Sequence, residues 1–328
     1  MGVTLDRFPL ATLPTPLVRA RRLEARLGSP PIYVKRDDLS GFAAAGHKAR
    51  PLEFIVGAAL AGGCDVLVTG GGPGSNFCPA AAAAASVAGI DCELVLYGDE
   101  PARRHPNLAL AQACGAKVRY TGDPDRSRVD TAIEEVAAEL EAGGRRPYSV
   151  PRGGAVAVGT VGMVVAAEEL AGQLDKAAVI PEAVVIASGS GTTCAGLAVG
   201  TGVARGSWRV VGASVSRPVD RARREITALA ERCASLLGIA TGEFELVDAR
   251  GPGFGTASEA GERAAAVALR TEGLLLDPVY TAKAFAVVLD LVEAGAGPVV
   301  FWHTGGLLAA ADDMAGVLAA AHHLEREQ

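Results

Sequence analysis

Ala43-Ala44-Ala45-Gly46-His47-Lys48-Ala49-Arg50-Pro51-Leu52-Glu53 and, after an apolar run, Gly70-Gly71-Gly72-Pro73-Gly74-Ser75-Asn76 are the segments around which the chain is organised. Small side chains ahead of Lys48 leave room for a planar ring beside its amine, and Pro51 suits the first turn of a helix. The positive end of that helix favours the neutral amine over the ammonium, and only a neutral amine attacks an aldehyde. Lys48 is therefore the candidate Schiff-base lysine. A lysine is ordinarily a solvated surface residue. Among Lys35, Lys48, Lys117, Lys176 and Lys283, however, only Lys48 is followed by a glycine-rich strand-to-helix turn.

The rest of the chain is compatible with a two-lobed globular protein. It has 328 residues, enough for two cores, with 49% hydrophobic and 21% charged residues. A net charge of −6 without a basic run gives no footprint for nucleic acid or an anionic membrane. No segment joins a basic start to an apolar core and a cleavage site, so a cytoplasmic location is expected. The cysteines at 64, 78, 92, 114, 194 and 233 are scattered, which supports neither a zinc site nor a disulfide framework.

Read in order, residues 1 to 40 form an extended, proline-punctuated segment with one strand at Ile32 to Lys35. Helical spacing then runs from Pro51 to Ala61, and a short buried-type strand from Asp65 to Thr69. Strands at Cys92 to Tyr97 and Lys117 to Tyr120 alternate with helices at Asn107 to Cys114 and Arg126 to Ala142, the pattern of a doubly wound unit. A second series begins at Ala183 to Ala187 and runs into Ser188-Gly189-Ser190-Gly191-Thr192-Thr193, where strand, glycine turn and helix make an anion cradle. The expected fold is α/β with two doubly wound open-sheet lobes: a large one from residues 1–51 plus 165–328, and a small one from 52–164.

Leu13-Pro14-Thr15-Pro16-Leu17, Tyr33-Val34-Lys35-Arg36-Asp37-Asp38-Leu39, the Lys48 segment and Gly74-Ser75-Asn76 stand in an order and spacing that resembles pyridoxal-phosphate (PLP) enzymes of the tryptophan-synthase-β type. The resemblance is narrower to the branch holding D-cysteine desulfhydrase and 1-aminocyclopropane-1-carboxylate (ACC) deaminase, and it covers about Leu13 to Leu307. It implies a homodimeric lyase or deaminase acting at Cα and Cβ of a small amino acid by elimination, deamination or β-replacement. Lys48 would carry PLP, and Ser190, Gly191, Thr192 and Thr193 would grip its phosphate. Asn76 would bond the ring hydroxyl, and Thr304 would face the pyridine nitrogen. Ser75 would touch the substrate carboxylate or carry a proton, and Tyr280, in Asp277-Pro278-Val279-Tyr280, would face the substrate or leaving group.

Departures from the family pattern fall on the substrate side. Phe254 replaces a tyrosine in a Gly-Pro-Gly-Tyr-Gly turn, Phe77 stands where His or Gln is usual, and Gly74 stands where Gln is frequent. Thr281 follows Tyr280, as in the desulfhydrase-like branch, where ACC deaminases carry Glu. The substrate shell of Ser75, Asn76, Phe77, Phe254 and Tyr280 thus implies a larger or more apolar side chain than that of ACC or D-cysteine. ACC ring opening and a catalytically silent PLP-fold protein are the alternatives. A nicotinamide enzyme fits poorly, because Ser188 to Gly196 lacks a Gly-x-Gly-x-x-Gly opening and no acidic residue follows to hold a ribose.

Overall fold

Two sets of short apolar strands, most of them buried on both faces, build two sheets, and the computed structural model describes residues 5–204 and 206–313. The chain opens with β1 (Leu17–Arg19), α1 (Arg21–Leu27) and β2 (Ile32–Arg36), then α2 (Ala49–Ala61). The small sheet follows as β3 (Val66–Gly71), α3 (Phe77–Ala88), β4 (Asp91–Leu96), α4 (Pro106–Ala113), β5 (Lys117–Tyr120), α5 (Arg128–Ala142) and β6 (Pro147–Ser149). The long α6 (Ala157–Ala177) leads back to the large sheet through β7 (Ala183–Ser188), α7 (Thr192–Ala204), β8 (Arg209–Ser214), α8 (Val219–Leu237) and β9 (Glu245–Asp248). The described chain ends with α9 (Glu259–Glu272), α10 (Thr281–Glu293), β10 (Val299–His303) and α11 (Leu307–Asp312).

Strand order is β1-β2-β10-β7-β8-β9 in the large sheet and β5-β4-β3-β6 in the small one, parallel throughout except for the β1–β2 pair. In the large sheet the chain runs outward from β7 to β9, then returns to lay β10 on the other side of β7. The small sheet repeats the move, running from β3 out to β5 and returning to lay β6 beside β3. Each sheet thus has one place where neighbouring strands lead their loops in opposite directions, and a crevice opens beyond the strand ends there.

Some expected boundaries shift. The segment 1 to 40 holds β1 and α1 besides the expected strand, because an edge strand of three residues and a helix of seven leave little periodicity to read. The helix expected from Arg126 begins at Arg128, which leaves Arg126 in the loop after β5. β1 and β2 belong to the large sheet, whereas Phe8, Leu10 and Ala11 pack on the small-lobe core, and Glu53 of α2 accepts the N–H groups of Leu10 and Ala11 at 2.8 and 3.0 Å.

Helix α6 packs against α2, α7 and α8. Its approach to α2 requires Gly162, since a Cβ there would lie 2.3 Å from the Arg50 carbonyl oxygen. Beneath that contact lies a buried ionic cluster. Arg50 donates to Asp37 through Nε at 2.9 Å and Nη2 at 2.8 Å, and to Glu169 of α6 at 2.8 and 3.1 Å. Asp37 also accepts from Thr15 Oγ1 at 2.7 Å and Trp302 Nε1 at 2.8 Å. Lys35 completes the cluster, donating to Glu169, the Thr15 carbonyl and Gln173. Burial pushes the Asp37 carboxyl upward, but the Arg50 charge and the three donors outweigh it and leave the group below its ordinary value.

Among the described residues no helix is long and apolar enough to cross a membrane, and no group of three or more His, Cys, Asp or Glu is placed to hold a metal. Arg50 and Asp37 are 1% and 0% exposed, so removing one strands the other's charge in the interior. Arg50→Met is expected to cost about 3–5 kcal/mol in urea unfolding, and Arg50→Lys to recover only part of it, because an ammonium lacks the two-pronged fork. A loss under about 1 kcal/mol would mean that the cluster is solvated.

Candidate active site

The two crevices face each other across one cavity of about 320 Å³, within the size range of small-molecule sites. From the small sheet come the Gly70–Asn76 turn after β3 and Gly153 after β6. From the large sheet come Ser188–Gly191 after β7 and Thr304 after β10. Lys48 is on the wall between them. It stands at the N-terminal edge of α2 at the end of a 3₁₀ turn, Gly46–Lys48, that is pressed on the end of β10. Gly46 has φ +56°, and a Cβ there would meet the Thr304 carbonyl oxygen at 2.2 Å. That carbonyl accepts from the His47 backbone N–H at 3.0 Å and its ring Nδ1–H at 2.8 Å.

The residues fit a phosphorylated aldehyde cofactor. Lys48 Nζ has no hydrogen-bond or ion-pair partner among the described residues and lies 6.0 Å from the centre of the Phe77 ring. Burial lowers its pKa from 10.5 to about 8. Opposite it, the N–H groups of Gly191, Thr192, Thr193 and Cys194 at the head of α7 donate to no acceptor among the described residues. Gly191 is in the left-handed region at φ +95°, and a Cβ would collide with Ile226 at 2.7 Å. Unpaired donors, helix dipole and an open backbone together make an anion seat.

The other expected residues distribute unevenly. Ser190, Gly191 and Thr193 line the cavity, whereas the Thr192 hydroxyl turns to the Gly154 carbonyl at 3.4 Å and does not. Ser75 Oγ accepts from the N–H groups of Phe77 and Cys78 at 3.2 and 3.4 Å, capping α3 and leaving its proton free to be donated. Asn76 Oδ1 accepts from Asn107 Nδ2 at 2.8 Å, so the Asn76 amide turns its donor outward. Thr304 lines the cavity at the end of β10. Phe77 is almost fully buried, its ring against the backbone of Gly154, and presents one face to the cavity. Phe254 is 37% exposed at the mouth, edge-on to Tyr280 with ring centres 6.1 Å apart.

Tyr280 is aimed by its own turn. Asp277 accepts from the N–H groups of Val279, Tyr280 and Thr281 at 3.1, 2.7 and 3.0 Å and from Thr281 Oγ1 at 2.7 Å, which closes the head of α10. Burial, then the Asp277 charge, pushes the Tyr280 phenol up, so it keeps its proton. Burial, then the Lys48 charge, drives His47 down to about 3, and burial takes His303 to about 4, so both imidazoles are neutral. Cys78, the thiol nearest the turn, is buried and pushed up to about 11, and stays protonated.

The sequence reading missed Tyr97, Asn107, Arg126, Arg152 and Arg217. Asn107 orients Asn76, and the other four line the cavity. A usable signal existed, since these four follow the carboxyl ends of β4, β5, β6 and β8, where an open parallel sheet binds its ligand.

The family model for pyridoxal-phosphate dependent enzymes matches residues 9–305. A Pyrococcus abyssi protein provisionally named 1-aminocyclopropane-1-carboxylate deaminase is 40% identical over 313 residues, covering 92% of this chain and 93% of that one. The D-cysteine desulfhydrase of Salmonella newport is 37% identical over 319 residues, covering 92% and 95%. A crystal structure described as an ACC deaminase homologue superposes with a TM-score of 0.88 at 33% identity and covers 96% of each chain. With an anion seat and a lysine unpaired among the described residues lining one cavity, and with these relatives, the chain belongs to the pyridoxal-phosphate dependent enzyme family, a lyase or deaminase with pyridoxal phosphate as its cofactor.

Proposed function

We propose that the enzyme removes a β-substituent from a small amino acid, in the manner named for its D-cysteine desulfhydrase relatives, with Lys48 holding the cofactor. The observation that carries this reading is that one cavity is lined both by the unpartnered Lys48 amine and by Gly191, Thr193 and Cys194, whose N–H groups are unpaired among the described residues. PLP, when bound, supplies the electron-accepting ring that lets a bond to Cα break. The chain supplies the rest. Its Lys48 amine, neutral for half its population near pH 8, holds and moves the Cα proton. The amides at the head of α7 would hold the PLP phosphate, the free Asn76 donor would bond its ring hydroxyl, and the Thr304 hydroxyl would serve its ring nitrogen. Ser75 would donate a hydrogen bond to the substrate carboxylate, and Tyr280, protonated, would give a proton to the leaving group.

ACC ring opening is the second reading, from the Pyrococcus relative and the ACC deaminase homologue. It is weakened at Thr281, whose hydroxyl is committed to Asp277 at 2.7 Å and is buried away from the cavity. A homodimer is part of the proposal on the family resemblance alone, and light scattering on the purified protein reads it.

Four measurements test the reading. Lys48→Ala should abolish the visible absorbance that borohydride removes from the wild type, and Lys283→Met should keep it. Lys283 Nζ is spent on the carbonyls of Arg250 and Gly253 at 2.6 and 3.1 Å. Absorbance that tracks Lys283 would refute the site.

For the pH dependence, Lys48 titrating at about 8 is half neutral at that pH, whereas an ordinary lysine is about 0.3% neutral there. Capture of PLP by the apoprotein should therefore rise about tenfold per pH unit below 8 and level off above it. A plateau reached only beyond pH 10 would show an unperturbed amine.

Gly191→Val, which places a branched side chain at positive φ against Ile226, should weaken PLP binding about tenfold or more in a folded protein. Release of pyruvate from D- or L-cysteine, β-chloroalanine or serine, against 2-oxobutyrate from ACC, then separates elimination from ring opening.

A further inference from the structure

Three arginines converge on the cavity wall from loops that follow parallel strands: Arg126 after β5, Arg152 after β6 and Arg217 after β8. Two have matched charges. Asp130 accepts from Arg152 through its backbone N–H at 3.0 Å, Nε at 3.0 Å and Nη2 at 2.7 Å. Arg217 pairs with Glu225 at 2.9 Å and donates to the Gly189 carbonyl. Arg126 differs, having no carboxylate partner among the described residues. Its guanidinium lies 4.3 Å over the centre of the Phe254 ring. The acids beside it in sequence are occupied, since Asp125 accepts from Ser127 N and Oγ at 2.9 and 2.6 Å and Asp123 accepts from Asp125 N at 2.8 Å.

With its guanidinium over the ring and no acceptor among the described residues, Arg126 keeps its N–H donors, set in the fork that matches an oxyanion, available to a ligand. Phe254 braces the cation and meets Tyr280 edge-on at 77°. Arg126 is therefore one aromatic ring away from the phenol that the functional reading places at the leaving group.

We propose that Arg126, braced on Phe254, selects substrates whose Cβ carries an anionic group, a sulfonate or a phosphate ester. This rests on the proposed PLP-dependent elimination and names its substrate class. An anion leaving Cβ gathers charge as its bond breaks, and a fixed cation there stabilises that charge. The chemistry balances with one water and no oxidant. With 3-sulfoalanine the Cα proton passes to the enzyme and sulfite departs with the C–S bonding pair. The resulting 2-iminopropionate is hydrolysed to pyruvate and ammonium. The expectation from sequence of a larger or more apolar substituent rested on Phe254 and Phe77 as bare apolar surface. In the structure Phe254 is a platform for a cation, and most of Phe77 is core.

The test uses the holoenzyme. By calorimetry, 3-sulfopropionate should bind at least about tenfold more tightly than propionate, a hydrogen bond to a charged group being worth roughly a ten- to hundredfold preference, and Arg126→Met should abolish the difference. In turnover, kcat/KM for 3-sulfoalanine or O-phosphoserine relative to β-chloroalanine should fall ten- to hundredfold in Arg126→Met, through kcat as well as KM, with Arg126→Lys between. Equal binding of the two propionates overturns the proposal. So does an Arg126→Met protein that keeps the substrate ratio but loses PLP affinity, which would assign the arginine to the cofactor phosphate. A wild type that turns over β-chloroalanine without preferring the anions refutes this inference alone. One that binds no PLP, or releases pyruvate from none of these compounds, refutes the functional reading with it.

Discussion

The buried pair of Arg50 and Asp37 is the constraint from which the site geometry follows. Arg50 is two residues past Lys48, and Asp37 receives Trp302, two residues before Thr304. Through Glu169 and Lys35 the same cluster reaches α6 and β2. Taking two charges out of water is expensive, and an apolar pair of the same volume would commonly be as stable. What the pair contributes is direction, because a bidentate fork between planar groups admits one arrangement of the elements that carry them. The close approach of Gly46 to the Thr304 carbonyl then leaves the Lys48 backbone little freedom.

Around that fixed lysine the titrations are separated. Burial keeps His47, His303, Tyr280 and Cys78 neutral across the ordinary pH range, each far from its own transition. Lys48, at about 8, changes charge within reach of neutrality. A site whose lysine can change charge beside several fixed neutral groups can hold a cofactor's oxygens without competing for its chemistry, a division of labour that suits a cofactor enzyme.

The proposed anion seat and the three arginines of the same cavity differ in how they are built. At the seat the groups are backbone: unpaired amides at the head of α7 and a glycine where a Cβ would collide. Arg126, Arg152 and Arg217 are long side chains from loops, each with its own bracing. Backbone recognition suits an unchanging ligand. Loop side chains can be exchanged without disturbing the sheets, which is where relatives on one scaffold diverge in substrate.

The α/β class, the place of Lys48 at the head of a helix, the glycine turn at Ser188 to Thr193, and both ends of the strand at Lys117 to Tyr120 and the helix at Thr281 to Glu293 were legible in the sequence. Their signals are local: parallel strands buried on both faces read as apolar runs, and turns read as glycine. The edge strands β1 and β9 and the short α1 carried too little periodicity to show. The Arg50 cluster, the hold of Asn107 on Asn76 and the seat of Arg126 on Phe254 were decided only by tertiary structure. Strand order sets which loop ends meet, and that order is fixed by the packing of whole sheets, which no window of sequence contains.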